Sequence, residues 1–208
     1  MVIPNGFNSD KWPIDTTTGI ELEGSPKLIT VGHVSERKGQ HEVIKLLPKL
    51  ALRFPNIAYH CVGLPTEQKA CELLAKQLGV SDRVFFHGRV NNAVLKLALE
   101  ASDVFVMLST VTTSGDVEGF GIALLEANAL GIPTIGAKGC GIEDAIQEGK
   151  SGALVTLGDA PAFEAALGNL LASKDLYAKT SKVWAEQHDW DVVIKRYIVE
   201  LEKIIRKT

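Results

Sequence analysis

The sequence has few of the residues that define several large classes of protein. Its three cysteines, Cys61, Cys71 and Cys140, are widely spaced and form no Cys-x-x-Cys pair. This pattern argues against a disulfide framework and a zinc site, and it favours a reducing compartment. No apolar run approaches the roughly 18 residues of a membrane span, and the N-terminus does not resemble a signal peptide. We therefore expect a cytoplasmic protein. Any contact with a membrane would have to come through a portion of the protein that is missing from this chain.

Other absences exclude further functions. Aromatic residues make up 6% of the chain, the formal net charge is −3, and no basic stripe with interleaved aromatics occurs, so we expect no nucleic-acid partner. The sequence has no Gly-x-Gly-x-x-Gly after its first predicted strand, no Walker lysine motif and no Gly-x-Ser-x-Gly elbow. Asp116-Val117-Glu118 looks like an acidic metal triplet, but no histidine or second carboxylate pair lies nearby in sequence. We predict neither a bound metal nor a cofactor.

What the sequence does contain is a regular alternation of short β-branched runs and longer amphipathic segments. The predicted strands are Lys27–Val31, Ile57–Val62, Val84–His87, Val104–Leu108, Thr134–Gly136 and Ala153–Thr156. The predicted helices are Gln40–Arg53, Thr66–Leu78, Asn91–Ala101, Phe120–Ala129, Gly141–Gln147, Ala160–Ala172, a stretch through Trp184, and Asp191–Ile205. This alternation predicts an α/β fold, a doubly wound parallel six-stranded Rossmann-like sheet with helices on both faces. Ligands of such sheets bind beyond the carboxyl ends of the strands.

Two glutamates flank a glycine turn after the fourth predicted strand. Glu118 precedes Gly119-Phe120-Gly121-Ile122, and Glu126 follows on the predicted helix, with seven residues between the two glutamates. A glycine turn that opens a helix presents unpaired N–H groups and the positive end of the helix dipole, which together hold phosphate. At 1.5 Å per residue, Glu126 lies roughly 9 Å beyond Phe120, about the distance from a pyrophosphate to its ribose. The arrangement predicts a site for a nucleoside diphosphate sugar.

A second loop follows the first predicted strand and contains Gly32, His33, Arg37 and Lys38. Arg37 and Lys38 could neutralise a pyrophosphate, which carries more charge than one helix terminus balances. A basic pair in a loop is also typical of an ordinary solvated surface. Both loops leave the carboxyl ends of strands in one sheet, so we expect them to converge on a single ligand.

Two further strand-end turns carry weaker signals. Arg89 and Val90 follow the third predicted strand and could offer backbone groups to a nucleotide base, or could form an ordinary strand–helix turn. Gly139-Cys140-Gly141 could allow a ligand to approach the backbone closely, although turn geometry explains these glycines equally well.

Taken together, these segments resemble the donor half of the retaining GT-B glycosyltransferases, the large family 4 group. The resemblance rests on Glu118-Gly119-Phe120-Gly121 through Glu126-Ala127 and on the loop from Gly32 to Gly39. It extends to Val2-Ile3-Pro4-Asn5-Gly6, which looks like the interdomain linker of the family, and to His188-Asp189-Trp190-Asp191, which looks like the start of its closing helix.

The resemblance implies a role for each site residue. Lys38 would contact the donor phosphates. Backbone contacts would come from Gly119, Phe120, Gly121 and Ile122. Glu126 would bind the ribose hydroxyls, and Glu118 would hold the transferred sugar near its reacting carbon. The sequence departs from the family at two positions. His33 stands where arginine is usual, which weakens phosphate neutralisation unless Arg37 substitutes or His33 is protonated. Asp144 stands where glutamate is commoner, in a turn that is offset.

The resemblance also implies an organisation in two domains. Residues 1–24 would be a linker remnant, 25–188 the nucleotide-sugar domain, and 189–208 a helix that packs toward a missing N-terminal acceptor-binding domain. We expect a metal-independent hexosyltransferase that uses an NDP-sugar, with UDP favoured, and a glycan or lipid-linked acceptor. Alone, the chain would bind the donor but transfer it slowly, and any peripheral membrane contact would come through the missing domain or the acceptor. A nucleotide-sugar epimerase and a non-catalytic binding module remain as alternatives.

Overall fold

The computed structural model describes residues 3–13 and 19–206, so the parts of the predicted linker and closing helix at 1–2, 14–18 and 207–208 lie outside the described residues. The strands are β1 (Lys27–Val31), β2 (Ala58–Val62), β3 (Val84–Phe86), β4 (Val104–Met107), β5 (Thr134–Ala137) and β6 (Gly152–Val155). The α-helices are α1 (Gln40–Arg53), α2 (Gln68–Gln77), α3 (Asn92–Glu100), α4 (Ile122–Ala129), α5 (Ala160–Ala172), α6 (Lys174–Glu186) and α7 (Trp190–Ile205). Short 3₁₀ helices span Ser9–Lys11, Glu36–Lys38, Ser81–Arg83 and Gly141–Ala145.

The six strands form one sheet in the order β3-β2-β1-β4-β5-β6, and all neighbouring pairs are parallel. The predicted doubly wound Rossmann-like sheet is confirmed. The strand order reverses between β1 and β4, because the chain first builds outward through β2 and β3 and then returns to the other side of β1. This is the position at which ligands bind in open α/β sheets.

The strands are apolar throughout because both faces of the sheet are covered. Along β4, Val104 and Val106 belong to the core under α1, α2 and α5, whereas Phe105 and Met107 belong to the core under α3, α4 and α6. All four side chains are fully buried. Burial on two faces fixes the register of β4, since a shift of one residue would turn each side chain to the core on the opposite face of the sheet.

Two helices differ from the sequence prediction near the carboxyl ends of the strands. Helix α4 begins at Ile122 rather than Phe120, because Gly121 at its N-cap has a left-handed backbone with φ of 80°. The α-helix predicted at Gly141–Gln147 is wrong, since the segment is a 3₁₀ helix that ends at Ala145. Ile142 and Ala145, three residues apart, are both fully buried, and the three-residue repeat of a 3₁₀ helix places such a pair on one side.

The N-terminal and C-terminal segments lie side by side. Phe7 forms a parallel bridge with Asp189, its N–H donates to the His188 carbonyl at 3.0 Å, and its carbonyl accepts from Trp190 N–H at 3.1 Å. The sequence of α7 places Val192, Val193, Tyr197, Leu201 and Ile204 on one apolar stripe, and such a stripe is expected to lie against another surface. Within the described residues only Val193 of this stripe is buried, and the other four are between 36% and 63% exposed. None of the helices in the described part of the chain has both the length and the apolar character that a membrane crossing requires.

Candidate nucleotide-sugar site

The loop after β1 is held in place by one buried side chain. Gln40, at the start of α1, is 1% exposed, donates from Nε2 to the His33 carbonyl at 2.9 Å, and accepts the Ser35 N–H at 3.2 Å. These two bonds fix the turn that carries His33 and that leads to Lys38. His33 itself is exposed, while the aliphatic part of Lys38 lies against Gly32. The sequence analysis did not identify Gln40, which has the appearance of an ordinary first residue of a helix.

The loops after β1 and β4 are joined by an ion network. Glu118 Oε2 accepts from Lys38 Nζ at 2.7 Å and also pairs with the Arg37 guanidinium, whose Nε lies 3.0 Å from Asp116 Oδ2. The Glu118 side chain is only 12% exposed, so these ion pairs are shielded from water more than most surface pairs. The Thr110 hydroxyl also donates to the Glu36 carbonyl at 3.0 Å. The structure thus brings Glu118 and Lys38 together, and Arg37 neutralises carboxylates of this chain.

The turn before α4 rests on the turn after β5. Gly141 N–H donates to the Glu118 carbonyl at 3.1 Å. A Cβ at Gly141 would lie 2.0 Å from the carbonyl oxygen of Gly119, so only glycine permits this approach. The close approach at Gly141 is therefore made by the backbone of the Glu118 loop, whereas a Cβ at Gly139 would meet nothing within 4 Å. Burial raises the pKa of the Cys140 thiol, which keeps it protonated and unreactive.

Phe120 joins the site to the C-terminal segment. Its side chain is 9% exposed, and its ring centroid lies 6.2 Å from that of His188. His188 also packs against Trp184 and donates from Nδ1 to the Trp184 carbonyl at 3.0 Å. Burial lowers the pKa of His188, so the ring is neutral at physiological pH. The side chain of Phe120 is a packing anchor, which leaves its backbone for the turn.

Glu126 lies on α4, in the same cleft, and forms an ion pair that the sequence did not indicate. Its Oε1 lies 2.5 Å from Nζ of Lys11, which belongs to the N-terminal segment more than a hundred residues away in sequence. The side chains of Lys11 and Glu126 are 22% and 16% exposed. No local sequence signal predicts this pair, because the docking of residues 3–13 depends on the whole fold.

All the predicted site residues except Arg89 and Val90 converge on one cleft of about 820 Å³ at the β1–β4 switch. Its walls are formed by Ile3, Pro4, Asn5, Val31, Gly32, His33, Arg37, Lys38, Glu118, Gly119, Phe120, Gly121, Ile122, Ala123, Glu126 and Asp144. The cleft is rich in glycine backbone and charged side chains of both signs, a composition suited to a ligand with anionic and hydroxyl groups. In the described part of the chain, no group of three His, Cys, Asp or Glu side chains could hold a metal ion.

Arg89 and Val90 lie outside this cleft, in an adjoining hollow of about 400 Å³. The hollow shares Val31, Gly32 and His33 with the cleft and is otherwise lined by Val62, Gly63, Leu64, Arg89, Val90 and Leu95. Its lining is mostly apolar, which suits the face of a planar ring. The two compartments meet at the β1 loop, so a ligand with an apolar end and an anionic centre could extend across both.

Comparison with known proteins identifies the family. A model described as glycosyl transferases group 1 matches residues 18–187. The chain is 30% identical over 177 residues to a GDP-mannose-dependent alpha-(1-6)-phosphatidylinositol monomannoside mannosyltransferase of Mycolicibacterium smegmatis, covering 82% of this chain and 46% of that protein. It is 32% identical over 153 residues to the putative colanic acid biosynthesis glycosyltransferase WcaL of Salmonella typhimurium, covering 73% of this chain and 38% of that protein. The chain therefore spans less than half the length of these two relatives.

Solved structures agree with the fold. Anabaena Alr3699/HepE, determined in complex with UDP, superposes with a TM-score of 0.68 at 26% identity over 84% of this chain and 48% of that one. Sucrose-phosphate synthase from Thermosynechococcus elongatus superposes with a TM-score of 0.76 at 21% identity over 99% of this chain and 53% of that one. The family model matches most of the sequence, and the sheet order and the cleft with its two glutamates agree with that match. This chain therefore belongs to the group 1 glycosyl transferases and has the Rossmann-like fold of GT-B enzymes.

Proposed function

We propose that this chain is the donor-binding half of a retaining GT-B glycosyltransferase, and that the cleft binds a nucleoside diphosphate hexose. The observation that carries the proposal is the presence of Lys38, Glu118 and Glu126 in a single cleft at the strand-order switch. A cation beside a helix N-terminus is suited to a diphosphate, and a carboxylate on each side is suited to hydroxyl groups.

The roles follow from position. Lys38 and the N-terminus of α4 would stabilise the negative charge that develops on the leaving diphosphate, which is commonly a large contribution to catalysis. Glu118, which is bound to Lys38, would receive hydroxyls of the sugar, and Glu126 would receive those of the ribose. We propose that transfer needs no metal, since these positive groups lie where a cation would otherwise be required.

Arg37 is a residue that could stand in for the usual arginine at the position of His33. Its guanidinium is engaged with Asp116 and Glu118. We propose that Arg37 orients the Glu118 loop and adds positive potential to the cleft, while Lys38 makes the direct phosphate contact. The exposed His33 would contact phosphate only through its ring.

We propose UDP as the nucleotide, with the base against the hollow that contains Arg89 and Val90. The complex of Anabaena Alr3699/HepE with UDP supports this choice. GDP is the second candidate, because the 30% identical Mycolicibacterium smegmatis relative is GDP-mannose-dependent. The sugar would pass to a glycan or lipid-linked acceptor held by a second domain, in the cytoplasm or peripherally at the membrane.

The domain assignment is part of the same proposal. Residues 1–24 would act as the interdomain linker, 25–188 as the donor domain and 189–208 as the closing helix. The chain covers only 46% and 38% of the length of two relatives, which supports a second, acceptor-binding domain in the full-length protein. On this basis, the chain studied alone would bind the donor and transfer its sugar slowly or not at all.

The proposal is tested by calorimetry of the purified chain with UDP, GDP and ADP and with their common sugar conjugates. We expect one nucleoside diphosphate to bind and a matching sugar conjugate to compete with it. Absence of heat and of thermal stabilisation with all three nucleotides would overturn the proposed site. Rapid transfer by the chain alone to added acceptors would contradict the two-domain assignment and leave the donor site intact.

A further inference from the structure

The Lys11–Glu126 ion pair connects the N-terminal segment to the proposed ribose end of the cleft. Lys11 lies at the end of the short 3₁₀ helix Ser9–Lys11, and its ammonium is 2.5 Å from Glu126 Oε1. Within residues 3–13 and 19–206, no hydrogen bond or ion pair engages the other carboxylate oxygen, Oε2. A carboxylate has two oxygens and about four lone-pair directions, so one oxygen can hold a cation while the other accepts hydroxyls.

The position of Lys11 is set by contacts that do not involve its charge. The Asn92 side chain donates to the Lys11 carbonyl at 3.4 Å, and Lys96 Nζ donates to the Pro13 carbonyl at 3.1 Å, so α3 holds the segment from one side. The N–H of Ser9 donates to Asp189 Oδ2 at 3.3 Å on the other side. Because the backbone is fixed independently, a neutral side chain at position 11 would remove the ion pair while leaving the segment docked.

The geometry also limits what Lys11 can do. Its ammonium lies 4.4 Å from the centroid of the neighbouring Trp12 ring, which adds a second contact that orients it. The Lys11 side chain is not part of the cleft wall, whereas Glu126 is. Lys11 therefore reaches the ligand space through Glu126.

On the basis of the proposed function, we infer that Lys11 is a positioning residue, which orients Glu126 for binding of the donor. It holds the Glu126 carboxylate turned so that Oε2 faces the ribose diol, and so it makes ribose recognition depend on the docked N-terminal segment. The alternative is competition, in which Lys11 occupies the carboxylate that the ribose needs. Positioning and competition predict opposite effects on the affinity for the ribonucleotide when the lysine is removed.

The experiment measures binding of two probes to the full chain by calorimetry. The first is UDP or GDP, whichever the wild type binds more tightly, and the second is its 2′,3′-dideoxy analogue, which lacks the diol. We expect Lys11→Met to weaken binding of the ribonucleotide about five- to tenfold and to leave the dideoxy nucleotide within about twofold, because only the diol contact is affected. The unchanged dideoxy affinity also shows that the variant is folded.

Two comparisons complete the test. Lys174→Met removes another lysine–carboxylate pair, in which Nζ lies 2.7 Å from Asp103 Oδ1 at the amino-terminal end of β4, and should leave both affinities unchanged. In a Glu126→Ala background, adding Lys11→Met should change neither affinity by more than about twofold, because the residue through which Lys11 acts is gone.

Tighter ribonucleotide binding by Lys11→Met, an unchanged ratio of the two affinities, or an additive loss in the Glu126→Ala background would each overturn the positioning role. Those results leave the proposed donor site standing. If the wild type binds no nucleoside diphosphate, the proposed function and the positioning role both fail.

Discussion

At the scale of single residues, the two glutamates of the cleft differ in their surroundings. Glu118 is paired with two cations from the β1 loop, whereas Glu126 is paired with one cation from the N-terminal segment. The negative charge of Glu118 thus offsets the positive charge that a diphosphate would need. Glu126 lies on α4 and is the carboxylate that we propose for the ribose. Substitution of the two residues should have different effects.

Replacing Glu126 by alanine should weaken binding of the nucleoside diphosphate by about 10- to 100-fold. The reason is that hydrogen bonds from hydroxyls to a charged carboxylate each contribute roughly 1.5–3 kcal/mol. Calorimetry of Glu126→Ala measures this change. Glu164→Ala is the matched control, since Glu164 pairs with Arg53 at 2.9 Å outside the cleft and its loss should not alter affinity. Equal affinities of wild type and Glu126→Ala would remove Glu126 from the site.

Replacing Glu118 by glutamine should have the opposite effect on the free nucleotide. The amide no longer neutralises Lys38 and Arg37, so UDP or GDP should bind at least as tightly as to the wild type. The matching nucleotide sugar should lose the extra affinity that its sugar contributes, since the charged acceptor for the sugar hydroxyls is gone. Competition calorimetry with both ligands measures the two effects. Weaker binding of the free nucleotide would show that Glu118 supports the diphosphate site.

At the scale of elements, the cleft depends on the contact between the turn before α4 and the turn after β5. Gly141→Ala places a methyl group 2.0 Å from the Gly119 carbonyl oxygen, which forces the two turns apart. We expect a loss of about 1–3 kcal/mol in the free energy of unfolding. Gly119→Ala is the control, because its added Cβ meets nothing within 4 Å. Denaturant unfolding curves that coincide for the two variants would contradict this contact.

A second element-scale prediction concerns β2. His60 is fully buried, donates from Nε2 to the Glu23 carbonyl at 3.0 Å and accepts from His87 at 3.0 Å through Nδ1. Burial lowers the pKa of His60 from 6.5 to about 4. The unfolded chain therefore binds a proton at a higher pH than the folded chain does. The contribution of neutral His60 to stability is fully present above pH 6.5, and it falls by about 3 kcal/mol as the pH drops from 6.5 to 4.

Urea unfolding at a series of pH values measures this dependence, and His60→Asn should make it shallower between pH 6.5 and 4 because one titrating ring is gone. The asparagine side chain can still accept from His87. An equally steep fall in the variant would assign the pH dependence to other groups.

At the scale of the whole molecule, α7 is attached by a narrow contact. Val193 is fully buried, whereas Leu201 is 57% exposed. Val193→Ala should lower the free energy of unfolding by about 1–3 kcal/mol, since it removes buried methyl groups and leaves a cavity. Leu201→Glu should leave it nearly unchanged, because the side chain is already in contact with water. A large loss in Leu201→Glu would show that this face of α7 is covered in solution.

The sequence predicted the architecture because that information is local. Apolar runs of β-branched residues predicted β1 to within a residue, and amphipathic periodicity predicted α1 and α5 with the bounds observed. The convergence of Glu118 and Lys38 could also be predicted, since both follow strands at the switch point. This part of the site can therefore be predicted from short segments of sequence.

The remainder depends on contacts between distant segments. Lys11 reaches Glu126 only because residues 3–13 dock against α3 and the α7 start, and no periodicity encodes that docking. Arg37 pairs with carboxylates of the β4 loop, which the basic Arg37-Lys38 pattern alone did not reveal. The 3₁₀ form of Gly141–Ala145 follows from its packing against the sheet rather than from residue preference. Tertiary structure decides each of these features.

The most direct test of the account is a crystal structure of the chain with UDP or GDP bound. We predict that the diphosphate lies at the N-terminus of α4 within hydrogen-bond distance of Lys38, with both ribose hydroxyls on Glu126. A nucleotide bound elsewhere, or one seated in the cleft with its ribose pointing away from Glu126, would contradict the account.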